Sequence, residues 1–104
     1  MSRASRPAYE AIVHPKAESD LRRLPPDVAC RILRSAIGLG EDPFPGGKRM
    51  KRLAGVRPVT YRLRVGDYRA LYRVHEQTRR VFILRVVTRG DLDRAIAGLP
   101  DTPT

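Results

Sequence analysis

Nine basic side chains fall within residues 48–73: Lys48, Arg49, Lys51, Arg52, Arg57, Arg62, Arg64, Arg69 and Arg73, with Asp67 as the only carboxylate among them. Residues 1–47 and 74–104 are close to neutral, so this quarter of the chain carries nearly all of the formal net charge of +10. Positive charge concentrated in this way creates a local potential that attracts a polyanion, and nucleic acid is the leading class. A solvated face that binds anions without specificity is the alternative. Seven of the nine are arginines, which favours planar, bidentate contact with phosphate over point-charge attraction.

These side chains need strands and turns to aim them. Tyr61, Leu63 and Val65 alternate with Arg62 and Arg64, and Gly66-Asp67 reads as a tight turn. In the next strand Tyr68, Ala70, Tyr72 and Val74 share one face, and Arg69, Leu71, Arg73 and His75 the other. Residues 80–87 form a largely apolar third strand, as expected for a central position. Upstream, Tyr9–Val13 predicts a short strand closed by His14-Pro15. From Pro15, Ala17, Leu21 and Leu24 recur at helical spacing while Lys16, Glu18, Asp20, Arg22 and Arg23 face water. Pro26 opens a second helix with Val28, Ile32, Ala36 and Leu39 on one stripe, widened by Leu33 and Ile37. The segment 41–58 reads as a Pro- and Gly-rich basic loop, and Asp91–Leu99 as a short last helix.

The predicted class is α+β: an N-terminal strand, then a two-helix antiparallel hairpin on a mostly antiparallel four-stranded sheet, then a short C-terminal helix. The uncovered sheet face is expected to display Arg62, Arg64, Arg69 and Arg73. With 104 residues and 41% hydrophobic composition, a single domain is expected, with its core at about 8–97 and flexible termini. The longest apolar run, Val81–Leu84, is far short of the roughly 20 residues that span a bilayer, so no membrane partner is expected. The N-terminus lacks the apolar segment of a secretory signal, which points to the cytoplasm. Cys30 reads as a buried thiol; with two distant histidines it makes no metal site, and no cofactor is implied.

The residues also carry a resemblance. Gly47-Lys48-Arg49-Met50-Lys51-Arg52-Leu53-Ala54-Gly55 is similar to the "k-x-L-x-G" loop of the RelE/ParE superfamily of toxins from bacterial toxin-antitoxin pairs. The stretch from Tyr61 to Val74 resembles that family's "YRlRvGdYRviY" hairpin. The likeness covers about residues 8–94. It implies a toxin that, in RelE-type members, cuts messenger RNA on the ribosome without a metal. The 2′-hydroxyl attacks the adjacent phosphate, giving a 2′,3′-cyclic phosphate and a free 5′-hydroxyl. Carried over by position, Arg62, Arg64, Arg69 and Arg89 would be catalytic, with Lys48, Arg49, Lys51, Arg52 and Arg73 binding RNA.

One departure bears on the chemistry. Many members have "GhR" followed by a tyrosine proposed as general base, but residues 87–95 here offer neither that histidine nor the tyrosine. His75, Asp91 and Asp93 are the remaining candidate bases. ParE-type members inhibit DNA gyrase by protein binding and need no such group, and a non-catalytic RNA-binding relative is a third reading. Either toxin reading implies a short acidic, RelB-like antitoxin that folds on binding. Promoter DNA would be bound only through the antitoxin complex.

Overall fold

His14 and Pro15 set the first turn of the fold. The structure, a computed structural model, describes residues 8–44 and 46–100; the termini expected to be flexible lie largely outside the described residues. Strand β1 (Glu10–Val13) runs into helix α1 (Pro15–Arg22). The His14 imidazole Nδ1 accepts from the Lys16 N–H at 3.1 Å, capping one free donor of the first turn. Pro25-Pro26 then breaks the chain and starts α2 (Pro26–Ile37), which buries Ile32 and Ala36.

Four further strands follow: β2 (Met50–Arg52), β3 (Tyr61–Val65), β4 (Tyr68–His75) and β5 (Arg80–Thr88), before helix α3 (Leu92–Ala97). The sheet order is β1-β5-β4-β3-β2, with β1 parallel to β5 and every other pair antiparallel. The sheet therefore has five strands rather than the expected four. The extra one, β2, lies in the basic loop and pairs Met50 with Leu63, Lys51 with Arg62 and Arg52 with Tyr61. Three residues flanked by Gly-rich sequence carry too little alternation to read as a strand, and the lysine and arginines suit an edge that must resist pairing with other chains.

The helical hairpin covers one sheet face, packing Ala17, Ile32 and Ala36 against Leu63, Val65, Ala70, Tyr72, Val81, Ile83 and Val86. Tyr72 is fully buried; its hydroxyl donates to the Pro43 carbonyl at 2.8 Å, and burial pushes its pKa well above the ordinary tyrosine value. Tyr61 and Tyr68 pack against the same cluster, as the alternation predicts. Cys30 is exposed rather than buried, because the stripe through Val28, Ile32 and Ala36 turns it outward. Ile37 is likewise 56% exposed.

The opposite face is only partly open. Leu71 and Val87 form a second small core with Ala95, joined by Leu53, Leu92, Ile96 and Leu99. Helix α3 thus covers one half of the face that was expected to be uncovered, and the arginines occupy the other half. A β-bulge makes this possible: Leu71 faces Arg85 while Tyr72 faces Ile83, so Leu84 is the extra residue. The alternation of β5 reverses there, which is how Ile83 and Val86 reach one core and Val87 the other. Beyond Ile83 the outer edge of β5 has no strand partner among the described residues, and Asp20 of α1 takes over: its Oδ2 accepts the Val86 N–H at 2.8 Å and Arg85 Nε at 2.7 Å.

Candidate functional site

The β3–β4 register sets Arg64 directly opposite Arg69. Two like charges at a cross-strand pair are destabilising without an anion between them. Gly66-Asp67 closes the hairpin, with Gly66 at φ +59°, a left-handed conformation that favours glycine. Arg69 folds back on the turn, its Nη1 donating to the carbonyls of Gly66 at 3.1 Å and Tyr68 at 3.0 Å. From the edge, Arg49 Nε donates to the Arg64 carbonyl at 3.3 Å, and the Arg64 N–H returns a bond to the Arg49 carbonyl at 2.8 Å. Arg89, just past β5, is tethered through its N–H to the Asp67 carbonyl at 3.1 Å.

These elements enclose an open cleft of about 690 Å³, lined by Arg49, Arg64, Arg69 and Arg89, by Arg31 and Ser35 of α2, and by the turn itself. Among the described residues none of these guanidiniums makes an ion pair; the ion pairs found among those residues are Arg22–Glu18, Arg80–Glu10 and Arg85–Asp20. Desolvation, and then the charges of Arg62, Arg64 and Arg89, lower the pKa of Arg69, partly opposed by Asp67. An arginine so displaced is still fully charged at neutral pH. The cleft thus concentrates positive charge of the kind that attracts an anion.

The expected site residues divide. Arg64, Arg69, Arg89 and Arg49 meet in the cleft. Arg62 lies two pairs further from the turn, between Lys51 and Leu71, where its Nη1 is buried with no hydrogen-bond partner among the described residues. It contributes to the field on Arg69 but does not line the cleft. Lys51 is exposed beside it on the same face. Lys48 is exposed in the turn before β2, and Arg52, opposite Tyr61, is placed by alternation on the helical side.

Arg73, expected on the open face, is buried and does not line the cleft. It is 6% exposed, with Nε donating to Thr60 Oγ1 at 3.0 Å and Nη1 to the Pro100 carbonyl at 2.8 Å. The chain returning after α3 covers it, and no alternation rule could foresee that. Arg73→Met is therefore expected to cost about 2 kcal/mol, because it removes the donor to the buried Thr60 hydroxyl and the part-buried Pro100 carbonyl, without changing the anion affinity of the cleft. Thermal melting alongside an RNA-binding titration checks both halves.

The candidate bases are elsewhere. His75 lies six residues along β4 from Arg69, roughly 20 Å at strand rise, with Nδ1 2.8 Å from Thr78 Oγ1. Asp93 is exposed on α3, and Asp91 accepts from Thr88 Oγ1 at 3.3 Å beside Arg23, Arg85 and Arg94 in a different depression. The carboxylate that does line the cleft is Asp67. Sequence reasoning missed Arg31 and Ser35. Their one-turn spacing beside the core stripe was visible, but which strand end that helix face meets is a tertiary fact.

Comparison with known proteins agrees with this architecture. A family model described as the ParE toxin of type II toxin-antitoxin systems, parDE, matches residues 11–92. Toxin RelG of Mycobacterium tuberculosis is 40% identical over 80 residues, spanning 75% of this chain and 87% of the relative. Among solved structures, the toxin-antitoxin complex RelBE2 from Mycobacterium tuberculosis has a chain 31% identical at TM-score 0.67, covering 79% of this chain and 99% of that one. The archaeal RelE-RelB complex from Pyrococcus horikoshii gives 30% identity at TM-score 0.67, covering 80% and 97%. E. coli RelE, at 21% identity and TM-score 0.68 over 86% and 90%, shares the fold.

Proposed function

This chain belongs to the RelE/ParE family of toxins of type II toxin-antitoxin systems, and from that membership we propose that it is a metal-independent, ribosome-associated endoribonuclease that cleaves messenger RNA. The observation that carries this reading is the convergence of Arg64, Arg69 and Arg89 on one cleft whose lining holds a single carboxylate, Asp67, ion-paired with none of them among the described residues. The substrate phosphate supplies the counter-charge. As the 2′-oxygen adds to phosphorus, negative charge grows on the non-bridging oxygens, and the Arg69 guanidinium, already oriented by the turn, meets it with little reorganisation. Arg62 reinforces the field from two pairs along the hairpin.

Arginines hold charge and seldom exchange protons at neutral pH, so the contribution of this cleft is electrostatic. Inhibition of DNA gyrase by protein binding is a second reading, favoured by the lack of any histidine or tyrosine among the residues lining the cleft. Two of the related structures are complexes with an antitoxin, and a short acidic, RelB-like chain suits the +10 charge of this one. Promoter DNA would be reached through that complex. No helix of the described residues is long and apolar enough to cross a membrane, and a cytoplasmic site of action follows from the proposed target.

Induced expression, with mapping of RNA 5′ ends and assay of plasmid supercoiling in the same cells, tests the assignment. New 5′-hydroxyl ends in translated messages are the expected result. Growth arrest with intact RNA and altered supercoiling would transfer the function to gyrase, and RNA binding without either effect would leave a non-catalytic binder.

A further inference from the structure

Helix α2 does more than cover the core. At the hairpin tip, a Cβ placed on Gly66 would stand 3.2 Å from Arg31 Nη2, so the Arg31 guanidinium lies directly against the turn. Arg69 reaches the same glycine through its carbonyl. Two guanidiniums thus approach one residue from different directions, each on a separate element, and Arg31 makes no ion pair with any described residue. Ser35, one helical turn on, adds a hydroxyl to the same wall. Bringing a further cation to a site that already holds Arg49, Arg64, Arg69 and Arg89 raises the repulsion, and one phosphate has too few oxygens and too little charge to serve all of them.

We infer that the cleft continues past the scissile phosphate onto helix α2, where Arg31, supported by Ser35, binds the phosphate of a neighbouring nucleotide of a single-stranded RNA. This rests on the RNA reading above and deepens it: the substrate must extend beyond the cleaved step to be held fully. Glycine at 66 serves the subsite as well as the turn, since any side chain there would meet the Arg31 guanidinium.

The test measures equilibrium binding of two non-cleavable 2′-O-methyl RNAs, a dinucleotide and a hexanucleotide, across a salt series. For the hexanucleotide, Arg31→Ala is expected to weaken binding roughly 5- to 10-fold at low salt. The slope of log K against log salt should shrink by about 0.7, the value for one single-strand phosphate. The loss on the dinucleotide should be clearly smaller. Alanine is a strong helix former at this exposed position, so circular dichroism should be unchanged. Ser35→Glu, which sets a carboxylate one turn from Arg31, should weaken the hexanucleotide in the same way with Arg31 intact. Equal losses on both RNAs would move Arg31 to the scissile phosphate and overturn the subsite. Wild-type binding untouched by either variant would overturn it too. Failure of the wild-type protein to bind either RNA would instead bring down the RNA reading itself.

Discussion

Replacing Arg69 with alanine is expected to lower the single-turnover cleavage rate of a bound RNA by about 10²- to 10³-fold, the usual cost of deleting one fixed charge stabiliser of a transition state. Of the cleft arginines, Arg69 has the most restricted side chain, with two backbone carbonyls of its own hairpin orienting it. It also bears the repulsion of Arg62, Arg64 and Arg89, so it gains most when negative charge develops nearby. Those two hydrogen bonds carry a structural cost as well. Their loss is worth about 1 kcal/mol, or a fall of several degrees in melting temperature for a domain of this size, so the rate must be measured below the melting range of the variant. Arg69→Lys keeps the charge but not the fork, and should recover part of the rate. A variant that melts like the wild type and cleaves at the wild-type rate would remove Arg69 from the chemistry.

The arginine hairpin could be read in advance because its logic is local. Strand alternation around Gly66-Asp67 puts Arg62, Arg64 and Arg69 on one face whatever the rest of the chain does, and the structure keeps them there. The two helices were legible for the same reason, each announced by a proline at its start and an apolar stripe along it. What stayed hidden depends on elements far apart in sequence. Arg73 obeys the same alternation as Arg69, yet Thr60 and Pro100 enclose it. Arg31 lies off the apolar stripe of α2, and only the tertiary fold sets it against the hairpin tip. His75 shares a parity with Arg69 but not an end of the strand, and parity alone carries no distance.

Asp20 is the sharpest case of a residue whose role lies outside local pattern, and it yields the largest expected effect on stability. Helical spacing turns it to water, but in the fold its side chain is 11% exposed, against 25% for its partner Arg85. The carboxylate accepts Arg85 Nε at 2.7 Å, Arg85 Nη2 at 3.2 Å and the Val86 N–H at 2.8 Å. The hydrogen bond to Asp20 also raises the pKa of Arg85, which therefore stays charged at every ordinary pH. Asp20→Ala strands a half-buried guanidinium and an open-edge N–H together. Breaking a fully buried pair costs about 3–5 kcal/mol, and the residual exposure of Arg85 brings the expected loss to about 3 kcal/mol, or roughly 12–20 °C in melting temperature. The companion variant, Arg85→Met with Asp20→Ala, removes the stranded charge and should be less unstable than the two single losses combined. Because Val86 precedes Arg89 by three residues, the same clamp fixes where β5 delivers Arg89 to the cleft. Denaturant unfolding of the three variants decides the matter: a loss below about 1 kcal/mol for Asp20→Ala would mean that the bulge of β5 holds itself without α1.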